Sequence, residues 1–290
     1  CQLLRNCQSR LLLMLCSISF LTALTIAGSD SCGGAGIQAD IKTMSALGVY
    51  AASAITAITV QNTQGVYGIQ NVEPEIVKGQ IEAVMDDIQP DAIKIGMVND
   101  RDTIKAIAKT LKKYQEKYQH LVIDPVMVST SGCRLMQEDA LDIFISELLP
   151  LATLLTPNIP EAEILAEMKI QNTEDIKTAA SAISKLGCKF TLIKGGHFDG
   201  KEKIDYLFEE GKLITSYRGL SIKTSNTHGT GCTLSSAITS YLAKELDMNT
   251  AIAMAKTYLS GAILAGKDVK IGEGHGPVNH FYEPKTLSTK

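Results

Sequence analysis

The chain has 290 residues, 45% of them hydrophobic, and a formal net charge of −3. That length fits one large α/β domain or two small ones and supplies enough apolar side chains for a sizeable core. No basic excess exists to neutralise a phosphate backbone, and the absence of Trp with only 5% aromatic residues removes the stacking platforms that single strands need, so composition argues against nucleic-acid binding.

The first feature along the chain is a nearly continuous apolar run from Leu11 to Ala27, behind Arg5 and Arg10. A signal peptide or a short membrane span is one reading. No A-x-A-like cleavage site precedes the first motif, however, and its last part, from Leu24 to Gly28, reads as a buried first strand. The chain opens on Cys1, so residues 1–21 are set apart as an N-terminal extension of uncertain status, and residues 22–290 as a single domain. The seven cysteines are odd in number and include no C-x-x-C pair. That fits a reducing compartment better than a disulfide scaffold or a zinc site.

Beyond the extension, short apolar runs alternate with helical patterns. Residues 23–27 predict a strand, 37–47 a helix, 54–60 a strand, and 74–88 a helix with Pro74 at its first position. A strand follows at 92–95, a helix at 101–118 behind the capping pair Asn99-Asp100, and strands at 121–124 and 152–156. The helix at 173–186 stops at Gly187, and a strand occupies 190–194. Two β-like runs within 204–217 flank Glu209-Glu210-Gly211-Lys212 and predict a hairpin. Helices at 232–242 and 250–265 close the pattern. The strands lack clean alternation, as strands buried on both faces do, so the fold class is α/β with a mostly parallel sheet.

In such sheets ligands sit beyond the carboxyl ends of the strands, and the chemically distinctive residues share that address. The turn 28–36 is Gly-rich but lacks the Gly-Lys-Ser/Thr of a Walker A loop. Gly34, Gly36 and Ala39 match G-x-G-x-x-A, yet no Asp or Glu occurs between Ile41 and Val72 to hold a ribose. The glycines therefore either let backbone approach a small substrate or form a tight turn with no ligand. Gly229-Thr230-Gly231-Cys232 opens an apolar helix and would present free amides to an anion. Cys232 in the first helical turn is expected to have a lowered thiol pKa and to serve as a base, the alternative being a small buried hydrophobe. Lys194 ends a strand and can reach a nucleotide phosphate. Asp124 and Glu161, beyond two strand ends, suit Mg2+ held mostly through water, although Glu161 also reads as a helix-start acid. Met97, at the end of Lys94-Ile-Gly-Met, points to a substrate floor or to the core.

Taken together, these motifs resemble the hydroxymethylpyrimidine/phosphomethylpyrimidine kinases, the thiamin-pathway branch of the ribokinase-like superfamily. The resemblance runs from Leu24 to about Pro284. It is carried by Thr25-Ile-Ala-Gly-Ser-Asp-Ser31, Gly33-Gly-Ala-Gly-Ile-Gln-Ala-Asp40, Val60-Gln-Asn-Thr63, Lys94-Ile-Gly-Met97, Asp124-Pro-Val-Met127, Thr156-Pro-Asn158 with Glu161, Lys194-Gly-Gly-His197 and Asn226 to Leu234. It implies a three-layer α/β/α sandwich, ATP as co-substrate, Mg2+, and two successive phosphorylations of 4-amino-5-hydroxymethyl-2-methylpyrimidine. It places Gly28, Ala35, Asp40, Gln61, Met97 and Val126 against the pyrimidine. Lys194, Asn158 and Thr230 fall to ATP, and Asp124 and Glu161 to the metal. Gly229, Gly231 and Cys232 form the anion hole and the candidate base.

Most ribokinase relatives have Asp where this chain has Cys232. Many relatives carry Lys near Thr130, which this chain lacks, and the lid cysteine of the pyridoxal-active group, near Ser129, is absent here. The resemblance thus favours the pyrimidine over pyridoxal, the nearest rival acceptor. It also implies a cytoplasmic homodimer without stable membrane association. A non-catalytic pyrimidine binder is disfavoured by the retention of Asp124, Glu161, Lys194 and Cys232.

Overall fold

The computed structural model describes residues 19–128, 135–196 and 202–290. The expectations for most of the N-terminal extension, for the loop Ser129 to Cys133 and for His197 lie outside those residues.

Nine strands among the described residues form one sheet: β1 (Thr22–Asp30), β2 (Tyr50–Asn62), β3 (Gly65–Asn71), β4 (Ala92–Ile95), β5 (His120–Ile123), β6 (Leu154–Leu155), β7 (Phe190–Gly196), β8 (Glu202–Glu209) and β9 (Lys212–Leu220). Their order is β3-β2-β1-β4-β5-β6-β7-β8-β9. The run from β2 to β7 is parallel, while β3, β8 and β9 pair antiparallel at the two edges. The helices are α1 (Gly36–Ala46), α2 (Pro74–Asp87), α3 (Arg101–Lys113), α4 (Leu141–Ile143), α5 (Ile159–Ala166), α6 (Thr173–Ser184), α7 (Thr230–Ala243) and α8 (Met248–Gly266). α4 continues into a π-helical turn, Phe144–Leu148, and a 3-10 turn, Leu149–Leu151.

Strand parity sorts the core into two layers. Leu24, Ile26, Ile93, Ile95, Leu121 and Ile123 face one side, where they meet Ile81 of α2, Ile107 of α3 and Ile183 of α6. Val122, Leu154 and Leu192 face the other, against Leu234 and Ile238 of α7 and Ile252 of α8. The α3 segment shows the logic at one helix. Ile104, Ile107, Ala108 and Leu111 recur at helical spacing and are buried, and the Asp100 carboxylate accepts a hydrogen bond from the Thr103 amide at 2.9 Å. Each fully buried Ile or Leu contributes about 1.5–3 kcal/mol.

The same parity positions the chemistry. Lys94 stands two residues after Ala92, Asp124 two after Val122, Thr156 two after Leu154 and Lys194 two after Leu192, so all four fall on the side of α7. The sheet, the hairpin β8–β9 and most helices agree with the sequence pattern to within a few residues. Three elements were not expected. β3 is interrupted by Gly68 and too short to stand out, and it gains its order by pairing with β2. The α4 region and α5 each contain a proline, Pro150 and Pro160, that splits the apolar period. The helix expected to run to residue 118 stops at Lys113, where Tyr114 turns into the core and a 3-10 turn follows. No helix among the described residues is long and apolar enough to cross a membrane.

Candidate active site

A cleft of about 680 Å³ opens over the carboxyl ends of β2, β1, β4, β5, β6 and β7, with the start of α7 as its floor. Its lining follows sheet order. Gln61 comes from β2, Gly28 from β1, and Met97 from just beyond β4. Ala35 precedes α1, and Val126 and Asp124 follow β5. Asn158, Glu161 and Lys194 come from the β6–α5 region and from β7, while Gly229, Thr230, Gly231 and Cys232 belong to α7 and its cap. Every residue given a catalytic, binding or metal role from sequence except Asp40 therefore lines one cavity.

Asp40 is the correction. It is fully enclosed rather than open to the cleft, and both carboxylate oxygens are in use. Oδ2 accepts from Thr25 Oγ1 at 2.6 Å and from Lys94 Nζ at 2.7 Å, and Oδ1 accepts from Ser236 Oγ at 2.6 Å. Lys94 is likewise 0% exposed. A lone buried ammonium is strongly disfavoured, so the pair persists only because its partners are complete. It ties β1, α1, β4 and α7 together one helical turn below Cys232, since Ser236 lies four residues on. Asp40 is thus a support beneath the site, not a substrate contact.

At one end of the cleft, Asp30 organises the Gly-rich turn. Its carboxylate accepts from the amides of Cys32 (2.8 Å), Gly34 (3.1 Å) and Ala35 (2.8 Å), and His228 Nε2 lies 2.8 Å from Oδ2. Burial works to raise the Asp30 pKa, but the His228 contact and the amides outweigh it and hold the carboxyl low. His228 Nε2 also lies 3.3 Å from the Gln61 side-chain amide, whose other terminal atom lies 3.1 Å from Thr59 Oγ1. An Nε2–H shared by Asp30 and Gln61 satisfies every group if the Gln61 oxygen faces His228 and its NH2 donates to Thr59, which in turn donates to the Ser29 carbonyl. Asp30 and His228 carried no role in the sequence reading. Their only trace was membership of the two Gly-rich turns.

The other end is built on the start of α7. Gly229 caps the helix with φ +79, and a Cβ there would stand 1.8 Å from the Gly34 carbonyl oxygen, so only glycine fits. No side chain caps α7; the Thr230 amide donates to the Thr227 carbonyl at 3.3 Å, and the amides that follow it in the first turn suit an anion. A Cβ on Gly231 would meet Asp124 Oδ2 at 3.3 Å and Lys194 Nζ at 3.7 Å, so the helix start presses against that ion pair. Lys194 Nζ donates to Asp124 Oδ1 at 2.8 Å, and Thr156 Oγ1 donates to the same oxygen at 3.0 Å. Burial pushes the Asp124 pKa up, but Lys194, Lys94 and these hydrogen bonds win and keep it below the usual carboxylate range.

Cys232 departs from expectation. Burial pushes its thiol up to about 11; Lys94 opposes this, while Asp40 and Asp124 reinforce it. The lowering expected from the helix start is outweighed, and Cys232 rests as a neutral thiol. Glu161 combines both of its sequence readings. It lines the cleft, yet it also completes a capping box in which the Asn158 amide donates to Oε2 at 2.8 Å and the Glu161 amide donates to Asn158 Oδ1 at 2.9 Å. Burial raises its pKa to about 7, against the pull of Lys194 and with help from Asp124. Two hard carboxylate donors on one wall, one of them easily protonated without a cation, fit a water-rich Mg2+ site. A second buried pair was missed from sequence. Asp205 of β8 accepts from the Gly195 amide at 2.8 Å and pairs with Lys256 of α8, and both line the cleft near Lys194. Nothing in the strand pattern of 204–217 distinguished that acid.

Comparison with known proteins bears on this geometry. Residues 30–279 match the family model described as phosphomethylpyrimidine kinase. A hydroxymethylpyrimidine/phosphomethylpyrimidine kinase of Rhizobium meliloti (strain 1021) is 50% identical over 261 residues, covering 90% of this chain and 97% of that protein. The crystal structure of phosphomethylpyrimidine kinase from Clostridium difficile 630 superposes with a TM-score of 0.74 at 48% identity, covering 84% of this chain and 99% of the other. An ADP complex of Bacillus subtilis pyridoxal kinase gives a TM-score of 0.82 at 35% identity, covering 91% and 98%.

Proposed function

The chain belongs to the phosphomethylpyrimidine kinase family, and on that premise we propose that it phosphorylates 4-amino-5-hydroxymethyl-2-methylpyrimidine and then its monophosphate, using ATP, in thiamin biosynthesis. The observation that carries this reading is the uncapped start of α7, with Cys232, set against the Asp124–Lys194 pair in one cleft.

Asp124 and Glu161 would hold Mg2+, which when bound neutralises charge on the β- and γ-phosphates. The rest of the work belongs to side chains and amides of the chain. The α7 amides and Lys194 receive the charge of the moving phosphoryl group, and Gly231 lets that group approach the helix axis closely. His228, Gln61 and Met97 orient the acceptor. In the first step the hydroxymethyl proton must leave as the O–P bond forms. Cys232 faces that point, but at pH 7 only about one thiol in 10^4 with a pKa near 11 is ionised. A neutral thiol cannot take a second proton, so Cys232 accepts the hydroxymethyl proton only in its minor thiolate form, which the Lys94 charge favours. In the second step the acceptor is a phosphomonoester with a second pKa of about 6, already mostly dianionic, so the amides and Lys194 suffice.

Pyridoxal kinase is the second reading, favoured by the close superposition with the Bacillus subtilis structure. Measuring kcat/KM side by side for the hydroxymethylpyrimidine, its monophosphate and pyridoxal separates the two. The proposal expects both pyrimidines to exceed pyridoxal, and the reverse order would overturn it. A cytoplasmic homodimer belongs to the same reading. Ile58, Val60 and Tyr67 expose apolar area on the β2–β3 edge that a second copy could cover. Sedimentation of the purified chain tests the dimer.

A further inference from the structure

We propose that Asp30, Cys32 and His228 form a binding site for a divalent cation of the Zn2+ class, and that its occupancy withdraws His228 from the acceptor end of the cleft. One carboxylate oxygen, the Cys32 sulfur and one His228 nitrogen all lie within 4.8 Å of one another. Around a tetrahedral zinc with bonds of about 2.0 Å to N and O and about 2.3 Å to S, neighbouring ligand atoms stand roughly 3.3–3.6 Å apart. His228 Nε2 and Asp30 Oδ2, at 2.8 Å, need to part by about half an ångström, and the sulfur, within 4.8 Å of both, needs to close by at most about 1.3 Å. Cys32 is half-buried on a turn, so its side chain has the freedom to make that move.

The other two ligands are held in place. Three amides fix the Asp30 carboxylate, and a Cβ on Gly34 would come within 2.4 Å of the His228 ring, so the Gly-rich turn packs directly on the imidazole. The donor set is mixed N, O and S. It suits a borderline cation rather than Mg2+, and differs in kind from the all-oxygen pair Asp124 and Glu161. One carboxylate and one thiolate match the charge of a divalent ion. Lys42, whose ammonium donates to the Gly33 carbonyl at 2.7 Å, is the opposing charge, and His280 is buried close by with Nε2 unpartnered among the described residues. On binding, the Cys32 thiol proton goes to solvent. The His228 proton passes from Nε2 to Nδ1 by exchange with water, and no group is oxidised or reduced. Ligation consumes the Nε2 contact with Gln61, and both residues line the cleft, so metal and acceptor compete.

The test uses the full chain without nucleotide and Co2+ as a spectroscopic probe, followed by Zn2+ displacement. Seven cysteines are present, so variants decide the assignment. A thiolate-to-cobalt charge-transfer band is expected in the unaltered chain and in Cys232→Ser. In Cys32→Ala the band should be lost and Zn2+ affinity should fall by at least about 10–100-fold, the loss typical of even an outer-shell partner. Absence of the band, or its persistence in Cys32→Ala, overturns the site. With Mg2+ in excess, Zn2+ should lower kcat/KM for the acceptor in the unaltered chain and not in Cys32→Ala. A band without that inhibition overturns the coupling to the cleft. The band needs no turnover, so it stands or falls separately from the identity of the acceptor.

Discussion

Replacing Lys94 by Met probes the support beneath the site. The substitution keeps most of the side-chain volume and removes one charge. Asp40 then keeps its bonds from Thr25 and Ser236, but its carboxylate stays fully enclosed with no counter-charge at 2.7 Å. Removing one partner of a buried pair typically costs about 3–5 kcal/mol, because the other charge is stranded. Against a usual folding stability of roughly 5–15 kcal/mol this is a large fraction. In a chain of this size it lowers the melting temperature by about 6–20 °C, at about 2–4 °C per kcal/mol. Removing both charges with Asp40→Leu added restores much of the loss, since apolar replacements of buried pairs are often near neutral. Urea unfolding of the two variants beside the parent measures this. A single-variant cost below about 1 kcal/mol, or a double variant no more stable than the single, would refute the view of Lys94–Asp40 as a mutually dependent buried pair.

Other expectations follow from the site. Cys232→Ala should slow the hydroxymethyl step by about 10²–10⁴-fold, the range for loss of a positioned base, and leave the phosphate step within a few-fold; single-turnover assays with each acceptor measure both, and equal losses would remove the base role. Gly229→Ala forces a Cβ onto the Gly34 carbonyl and a side chain into left-handed φ, so it should abolish both steps together and lower the melting temperature. Burial, with the Lys42 charge adding, pulls the His280 pKa down to about 4 from an ordinary 6.5. The unfolded chain therefore binds more protons between those values. Stability from keeping this ring neutral is fully present above about pH 6.5 and is lost as pH falls through about 4, by roughly 3 kcal/mol at most. His280→Gln should flatten that part of the stability profile in acid unfolding curves.

Much of this architecture was legible because strand ends are local signals. The runs ending at Ala27, Ile95, Ile123 and Ile193 carry apolar residues on both parities, with Thr25, Lys94 and Thr191 as polar exceptions, and the polar residues just past them share one address once the sheet is parallel. That logic put Gly28, Met97, Asp124 and Lys194 on one cleft without a structure. Asp40 was placed against the pyrimidine by the resemblance alone, and which way it faces is a three-dimensional property that motif position does not carry. Asp40 lies one helical turn past Gly36, and only the docking of α1 under α7 shows that it points at Lys94 and Ser236. The expectation failed for Cys232 because a helix start lowers a thiol pKa only where water or a cation can support the thiolate. Here burial and two neighbouring carboxylates dominate. Asp30 and His228 stand 198 residues apart in the chain, and no short-range pattern links them.

In the proposed reaction one cleft performs two phosphoryl transfers on one pyrimidine. Mass spectrometry of a reaction holding the purified chain, Mg2+, ATP and 4-amino-5-hydroxymethyl-2-methylpyrimidine tests it directly. The monophosphate is expected first and the diphosphate after it, with ADP formed in step with each phosphate added. ADP formation that stops at the monophosphate, or no phosphorylated pyrimidine at all, would contradict it.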